Sequence, residues 1–294
     1  MATPELFDVA VAGGALRVGR FGDGPAVALG IHGITGSLMQ LAPVARRLPP
    51  GWAMVVPDLR GRGASNGLPP PYGMEAHAAD CAAVIAATSD GPVVVLGESM
   101  GAYVAVVLAA RRPELVARLV LADGGLPLAV PAGADPDAVV EAVLGPALAR
   151  LSRVFASTEE YLDFWRAHPA VGREWNDDLE AYLAYDLEPV PGGLRPRARE
   201  QAVRLDGGEH IADPGLVEGA LRQVRCPVAL VRAERNLLDG LPPLLPDDAV
   251  APWREHLADF GDVLVEDTNH YTVMLGRRGA TLLAELVSGL RAAQ

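Results

Sequence analysis

Ten consecutive residues, Val93-Val94-Val95-Leu96-Gly97-Glu98-Ser99-Met100-Gly101-Ala102, restrict this chain more than any others. Four apolar residues, three of them β-branched, read as a fully buried strand, and the apolar stretch from Ala102 to Ala110 reads as the helix that follows. Between them lies G-x-S-x-G, the pattern of a sharp strand-to-helix turn that lifts a serine hydroxyl above a sheet and leaves the next backbone N–H free for an oxyanion. Gly97 and Gly101 remove side chains where strand and helix pass closest. At ordinary glycine and serine usage the five-residue pattern arises by chance in about one chain of this length in ten. The flanks therefore carry the argument.

The same strand-then-helix rhythm extends on both sides. Leu6 to Val11 and Ala15 to Arg20, parted by Gly13-Gly14, predict an antiparallel hairpin. Ala26 to Ile31 predicts a buried strand entering His32-Gly33-Ile34-Thr35-Gly36-Ser37, with a helical segment from Leu38 to Leu48. A glycine-rich turn after a central strand can face backbone N–H groups to a ligand, or can be an ordinary connection. Ala53 to Val56 is a short strand, and after it Asp58 and Arg60 are expected to pair with each other and fix their loop. Met74 to Thr88 is helical, and His77 is read as preceding a surface-like helix. Val116 to Ala122 is a strand ending at Asp123-Gly124-Gly125, Cys226 to Val231 another, and Asp262 to Val265 the last before His270, with an amphipathic helix from Arg278 to Leu290. Strands alternating with helices imply an α/β chain with a mostly parallel central sheet, helices on both faces, and ligands gathered at the carboxyl ends of the strands. Ser99, the Gly33 turn and Asp123 all fall at such ends.

From Leu126 to about Gln223 the rhythm stops. Seven of fifteen aromatic residues fall between Phe155 and Tyr185. Tyr161, Phe164, Trp165 and His168 share one helix face. That face either packs an insertion onto the core or, in part, lines a substrate pocket beneath a helical cap; Tyr161 and Trp165 are the candidates for substrate contact. Pro189 to Arg199 reads as an exposed connection with solvated charges.

Composition narrows the chemistry. The net charge of −12 disfavours nucleic acid and anionic membranes as partners and favours a small-molecule substrate. All 25 basic residues are arginine, which removes Schiff-base, Walker A and Ser-Lys chemistry. Cys81 and Cys226 stand far apart, so neither a metal knuckle nor a disulfide framework is expected, and no metal or cofactor is implied. The first residues lack a basic segment followed by an apolar run, and no stretch is apolar enough to span a bilayer, so a soluble cytoplasmic chain is expected.

With His32-Gly33 after the third strand, Asp58-Leu59-Arg60-Gly61-Arg62-Gly63-x-Ser65, Gly97-Glu98-Ser99-Met100-Gly101, and His270 after the last strand, the chain resembles the α/β-hydrolase superfamily. The resemblance covers nearly everything outside the insertion, giving a core of residues 1–125 and 224–294 and a helical cap of residues 126–223. It implies Ser99 as nucleophile, His270 as general base, and the backbone N–H groups of Met100 and Ile34 as the oxyanion hole. In most relatives the acid follows the strand after the cap, where this chain has Asn236, an amide that cannot stabilise an imidazolium as a carboxylate does. A subset places it after the strand that follows the elbow helix, which makes Asp123 the expected acid and Asp239 the alternative. The implied reaction is hydrolysis of a carboxylic ester or lactone through an acyl-enzyme. Carbon–carbon hydrolysis, acyl transfer or rearrangement on the same residues, and ligand binding without turnover, are the other readings.

Overall fold

A computed structural model describes residues 3–128, 133, 135–212 and 214–290; the outermost positions of the expected core and a few of the expected insertion lie outside these. The described strands are β1 (Glu5–Val11), β2 (Gly14–Phe21), β3 (Ala26–Ile31), β4 (Trp52–Pro57), β5 (Val93–Glu98), β6 (Val116–Ala122), β7 (Leu187–Val190), β8 (Gly193–Pro196), β9 (Val228–Arg235) and β10 (Phe260–Asn269). Eight of them form one sheet in the order β1-β2-β4-β3-β5-β6-β9-β10. The β1–β2 and β2–β4 pairs are antiparallel and every other neighbour is parallel. After β3 the chain first adds β4 on one side and then β5 on the other. That reversal opens a crevice between the carboxyl ends of β3 and β5, the place where ligands collect in open α/β sheets.

Why these runs are continuously apolar follows from the two faces they serve. In β6, Leu119 and Leu121 enter one hydrophobic cluster while Val120 and Ala122 enter the other. The first cluster takes in helices Met74–Thr88, Met100–Arg111 and Pro214–Leu221, and the second takes in Arg277–Ser288 and the residues around Leu38–Ala45. Leu38 to Leu48 is shorter and less regular than its pattern suggests: a 3-10 turn at Leu38–Leu41 and one α-turn at Ala42–Ala45. Pro43 has no N–H to continue the i to i−4 ladder, so the two pieces cannot fuse.

Between β6 and β9 the chain inserts helices Pro136–Leu151, Thr158–Arg166, Asp177–Tyr185 and Glu200–Ala212 together with the β7–β8 hairpin. A buried cluster ties three of these pieces. Arg150 Nη1 donates to Asp186 Oδ2 at 3.0 Å and to the Tyr161 hydroxyl, which itself donates to Asp186 Oδ2 at 2.5 Å. The Pro189 to Arg199 stretch corrects its expectation. It runs through the β7–β8 hairpin and just past it, where Arg195 of β8 and Arg199 beyond it both bond Glu188, and the Arg199 N–H donates to Gly61 O at 2.8 Å. Its charges find partners because Glu188 lies on the facing strand, which no local pattern announces. His77 is likewise fully buried, with Nε2 2.9 Å from Asp206 Oδ2 of an inserted helix.

Candidate active site

Ser99 sits at φ 51°, ψ −119°, directly after β5 and before the helix Met100–Arg111. A side chain rarely holds that conformation unless its surroundings fix it. Here the Ser99 N–H donates to Ala122 O of β6, and its carbonyl accepts from the Ala102 N–H, both at 3.0 Å. A Cβ on Gly97 would run into the Gly101 carbonyl, and one on Gly101 into the Ile31 carbonyl, so both positions must be glycine for the turn to close.

His270 arrives from the far end of the sheet, after β10. Its loop is clamped by Asn269, whose Oδ1 accepts from the N–H groups of Tyr271 and Thr272 at 3.1 and 3.0 Å, and whose Nδ2 donates to Ala170 O at 2.8 Å and to Asp239 Oδ1 at 3.0 Å. So held, His270 places Nε2 3.1 Å from Ser99 Oγ and Nδ1 2.7 Å from Asp123 Oδ2. The second Asp123 oxygen accepts from the Ala233 N–H at 3.1 Å, fixing the carboxylate against β9. Burial works to lower the affinity of His270 for its proton. The hydrogen bond to Asp123 and the charges of Asp123 and Glu98 outweigh it, so the imidazole stays protonated to higher pH than usual. Asp239 is held elsewhere, its Oδ1 accepting from Arg235 Nε at 2.8 Å as well as from Asn269. Asn236 closes its own loop, accepting from the N–H groups of Leu238 and Gly240.

The turn after β3 is locked by its histidine. His32 is fully buried, accepts the Leu59 N–H at Nε2 (3.0 Å), and donates from Nδ1 to the Gly33 carbonyl (2.8 Å). Burial drives its pKa down to about 3, so the ring is neutral. The Gly33 carbonyl also accepts from the Gly36 N–H at 3.0 Å. In a trans peptide the C=O and the following N–H point opposite ways, so tying down this carbonyl aims the Ile34 N–H outward. A Cβ on Gly33 would lie 3.4 Å from Ser99 Cβ, which places the turn against the serine. Neither the Ile34 N–H nor the Met100 N–H donates to a protein acceptor among the described residues. Arg62, fully buried, holds the Ile34 carbonyl at 3.0 Å and pairs with Asp206 at 2.5 Å.

Asp58 and Arg60 do not pair with each other. Asp58 accepts from the N–H groups of Leu38 and Ala64 and from the Tyr185 hydroxyl, each at 2.7 Å, while Arg60 makes a bidentate pair with Asp80. A single carboxylate can satisfy three donors that converge on it, and Arg60 meets a matching fork on the helix Met74–Thr88.

Tyr161 is fully buried with its hydroxyl in the Arg150–Asp186 pair. Trp165 meets Tyr271 edge to face at 5.9 Å, and Tyr271 meets His270 at the same distance, so Trp165 reaches the imidazole through one intervening ring. A cleft of about 610 Å³ opens in the inserted segment beside Leu151, Val190 and Ala198, lined by neither Ser99 nor His270. Chemistry rather than size singles out the Ser99 crevice. Sequence reasoning passed over Asn269, Gln40 and Glu98. A glutamate closing an apolar strand was the one signal available for the last of these. Among the described residues no group of three or more His, Cys, Asp or Glu is placed to hold a metal ion, and no helix is long and apolar enough to cross a membrane.

Residues 29–184 match the profile of the alpha/beta hydrolase fold family. The chain is 37% identical over 185 residues to Lipase LipV of Mycobacterium tuberculosis, a match spanning 60% of this chain and 64% of that protein. It is 29% identical over 259 residues to 2-(acetamidomethylene)succinate hydrolase of Mesorhizobium japonicum, spanning 87% and 85%. Among solved structures, that of E-2-(acetamidomethylene)succinate hydrolase superposes with a TM-score of 0.81 at 23% identity over 97% of this chain and 98% of the other, a likeness of fold. The chain belongs to the α/β-hydrolase family.

Proposed function

We propose that this protein is a serine hydrolase that cleaves a carboxylic ester or lactone of an apolar small molecule through an acyl-enzyme at Ser99. The observation that carries the reading is the hydrogen-bonded run from Ser99 Oγ through His270 to Asp123. In this reading Ser99 Oγ attacks the carbonyl carbon as its proton passes to His270 Nε2, and Asp123 stabilises the imidazolium that forms. The former carbonyl oxygen takes the negative charge and lies between the N–H groups of Met100 and Ile34, where each such donor contributes about 10²–10³ in rate. His270 returns the proton to the departing alkoxide, leaving acyl-Ser99. A water then loses a proton to His270, attacks the acyl carbon, and releases the acid. Residues 126–223 form the cap over this site, on the core of 1–125 and 224–294. Trp165, with Tyr161 behind it, supplies the aromatic wall of the substrate pocket. Fluorophosphonate labelling and turnover of 4-nitrophenyl esters test the reading. Both should be abolished in Ser99→Ala with the fold intact, and retained labelling or turnover there overturns it.

The succinate-named relative favours a second reading, in which the same residues act on a small non-ester substrate. Stoichiometric labelling of Ser99 with no turnover across an ester panel would select it.

A further inference from the structure

One buried carboxyl beside His270 has no part in the mechanism above. Glu98, the last residue of β5, is 2% exposed, and its Oε1 lies 3.6 Å from His270 Nε2, the nitrogen that also faces Ser99. Oε2 accepts from Gln40 Nε2 at 3.0 Å, and Gln40 Oε1 accepts from the Gly33 N–H at 3.0 Å. A Cβ on Gly33 would collide with Glu98 Oε2, so this glycine leaves room for the carboxyl beside the turn that carries Ile34. The imidazole therefore sits between two carboxyls, Asp123 in hydrogen-bond contact on the Nδ1 side and Glu98 at ion-pair distance on the Nε2 side.

The 3.6 Å separation matters. It is too long for a hydrogen bond, which leaves the Nε2 lone pair to the Ser99 hydroxyl, yet short enough for a charge to act strongly through a water-poor interior. Burial of a carboxylate is costly, and an amide in this place could keep a bond to Gln40 without that cost. Burial pushes the Glu98 carboxyl up to about 7, even with the His270 charge and the Gln40 bond opposing it. The charge of each of Glu98 and His270 thus bears on the protonation of the other. The other titratable groups facing them are Asp123 and the phenols of Tyr182 and Tyr271.

We propose that Glu98 is a positioning residue that holds negative charge beside Nε2 of His270 and so sets the pH at which the imidazole takes up its proton, while Gln40 joins the same carboxyl to the Gly33 turn. The proposal rests on the reading of Ser99 and His270 as nucleophile and base. Its test does not need turnover: the His270 ring is followed by ¹³C NMR across pH, its signal assigned by loss in His270→Asn. In Glu98→Gln the acid dissociation constant of the imidazolium should rise about tenfold or more, since a charge at this range is removed. In Glu98→Asp, which keeps the charge, most of the shift should be recovered. An unchanged titration in folded Glu98→Gln overturns the proposal. Should that variant fail to fold, Gln40→Met serves instead. Loss of the amide donor makes Glu98 keep its proton to higher pH, so the His270 titration moves in the same direction, and an unmoved titration there overturns the proposal equally. Failure of Ser99 to label overturns the reading of the site and leaves the His270 titration as a separate result.

Discussion

The loops that follow β6 and β9 begin side by side on neighbouring parallel strands, and each carries an aspartate at positive φ, Asp123 at 46° and Asp239 at 62°. Their surroundings differ in what they do with the charge. Asp123 is fully buried, with one oxygen on the Ala233 N–H and the other on His270. Asp239 faces Arg235 and Arg173, and reaches the histidine loop only through Asn269. One loop gives the imidazole a charge with no competing cation, and the other gives it a clamp. Where a carboxylate already has an arginine, its effect on a neighbouring ring is largely neutralised, so proximity in the sheet alone does not choose the acid.

The most direct way to break this comparison is to remove each charge in turn. Asp123→Asn should lower kcat by about 10⁴, the size of effect when the acid of a serine-protease triad becomes an amide. Asp239→Asn should change kcat by no more than about threefold, because no bond to the reacting ring is lost. Comparable losses in the two variants would erase the distinction. A sharper form restores a carboxylate at the position most relatives use: Asn236→Asp in the Asp123→Asn background should recover no more than about tenfold of the activity. The Asn236 side chain is turned into its own loop, where it accepts from two N–H groups and donates to the Pro242 carbonyl. Recovery to near the original rate would mean that this loop can swing to His270.

The clamp itself should matter less than the charge and more than Asp239. Asn269→Ala strands the Tyr271 and Thr272 N–H groups and should cost about 1–3 kcal/mol in stability, as buried unpaired donors do, with kcat reduced about tenfold to a hundredfold by misplacement of the ring. Thermal melts and kcat on one preparation separate the two effects.

These differences also mark what could be read before folding. β3, β6 and the helix Met74–Thr88 have the bounds that the sequence indicates, because a strand covered on both faces must be apolar throughout and a long run of strong helix formers such as alanine holds a helix on propensity. That Ser99 and His270 would meet was expected from a short motif, from their positions at strand ends and from the family resemblance, and they lie 3.1 Å apart. Pairings over long sequence distances were not: Arg60 meets Asp80, Asp58 meets Tyr185, and His77 meets Asp206, each with a partner that no local spacing indicates. The β7–β8 hairpin was read as open chain because its four-residue strands contain prolines and charges and show no alternation, while its anchors, Glu188 gathering two arginines and Leu194 bridged to Phe155, are distant in sequence or on the facing strand. Glu98 stayed hidden as the variable letter of a motif. Asp123 was the expected acid with Asp239 as its alternative, and what sets them apart in the fold, an arginine already paired with Asp239, is not written in local sequence.

The smallest expected effect is also the one that separates the carboxylates by sign. The hydrogen bond from Asn269 and the pairing with Arg235 hold Asp239 below the usual carboxylate range. Its contribution to stability is therefore present above the unfolded value near 4 and is lost as pH falls through the folded one. Glu98 is displaced the other way, up to about 7 by burial, so its protonated form favours the folded chain below the unfolded value near 4.5, and that contribution is lost as pH rises towards 7. Melting Asp239→Asn and Glu98→Gln beside the parent between pH 3 and 8 should then give opposite trends. Asp239→Asn should be less stable than the parent by about 0.5–1 kcal/mol near pH 7, with the difference shrinking as pH falls below the unfolded value. Glu98→Gln should gain on the parent as pH rises from 5 to 7.5, because it has no buried carboxyl to ionise. Parallel trends in the two variants would mean that Glu98 is ionised as readily as an exposed carboxylate, and that the Nε2 side of His270 differs from the Asp239 loop only in position.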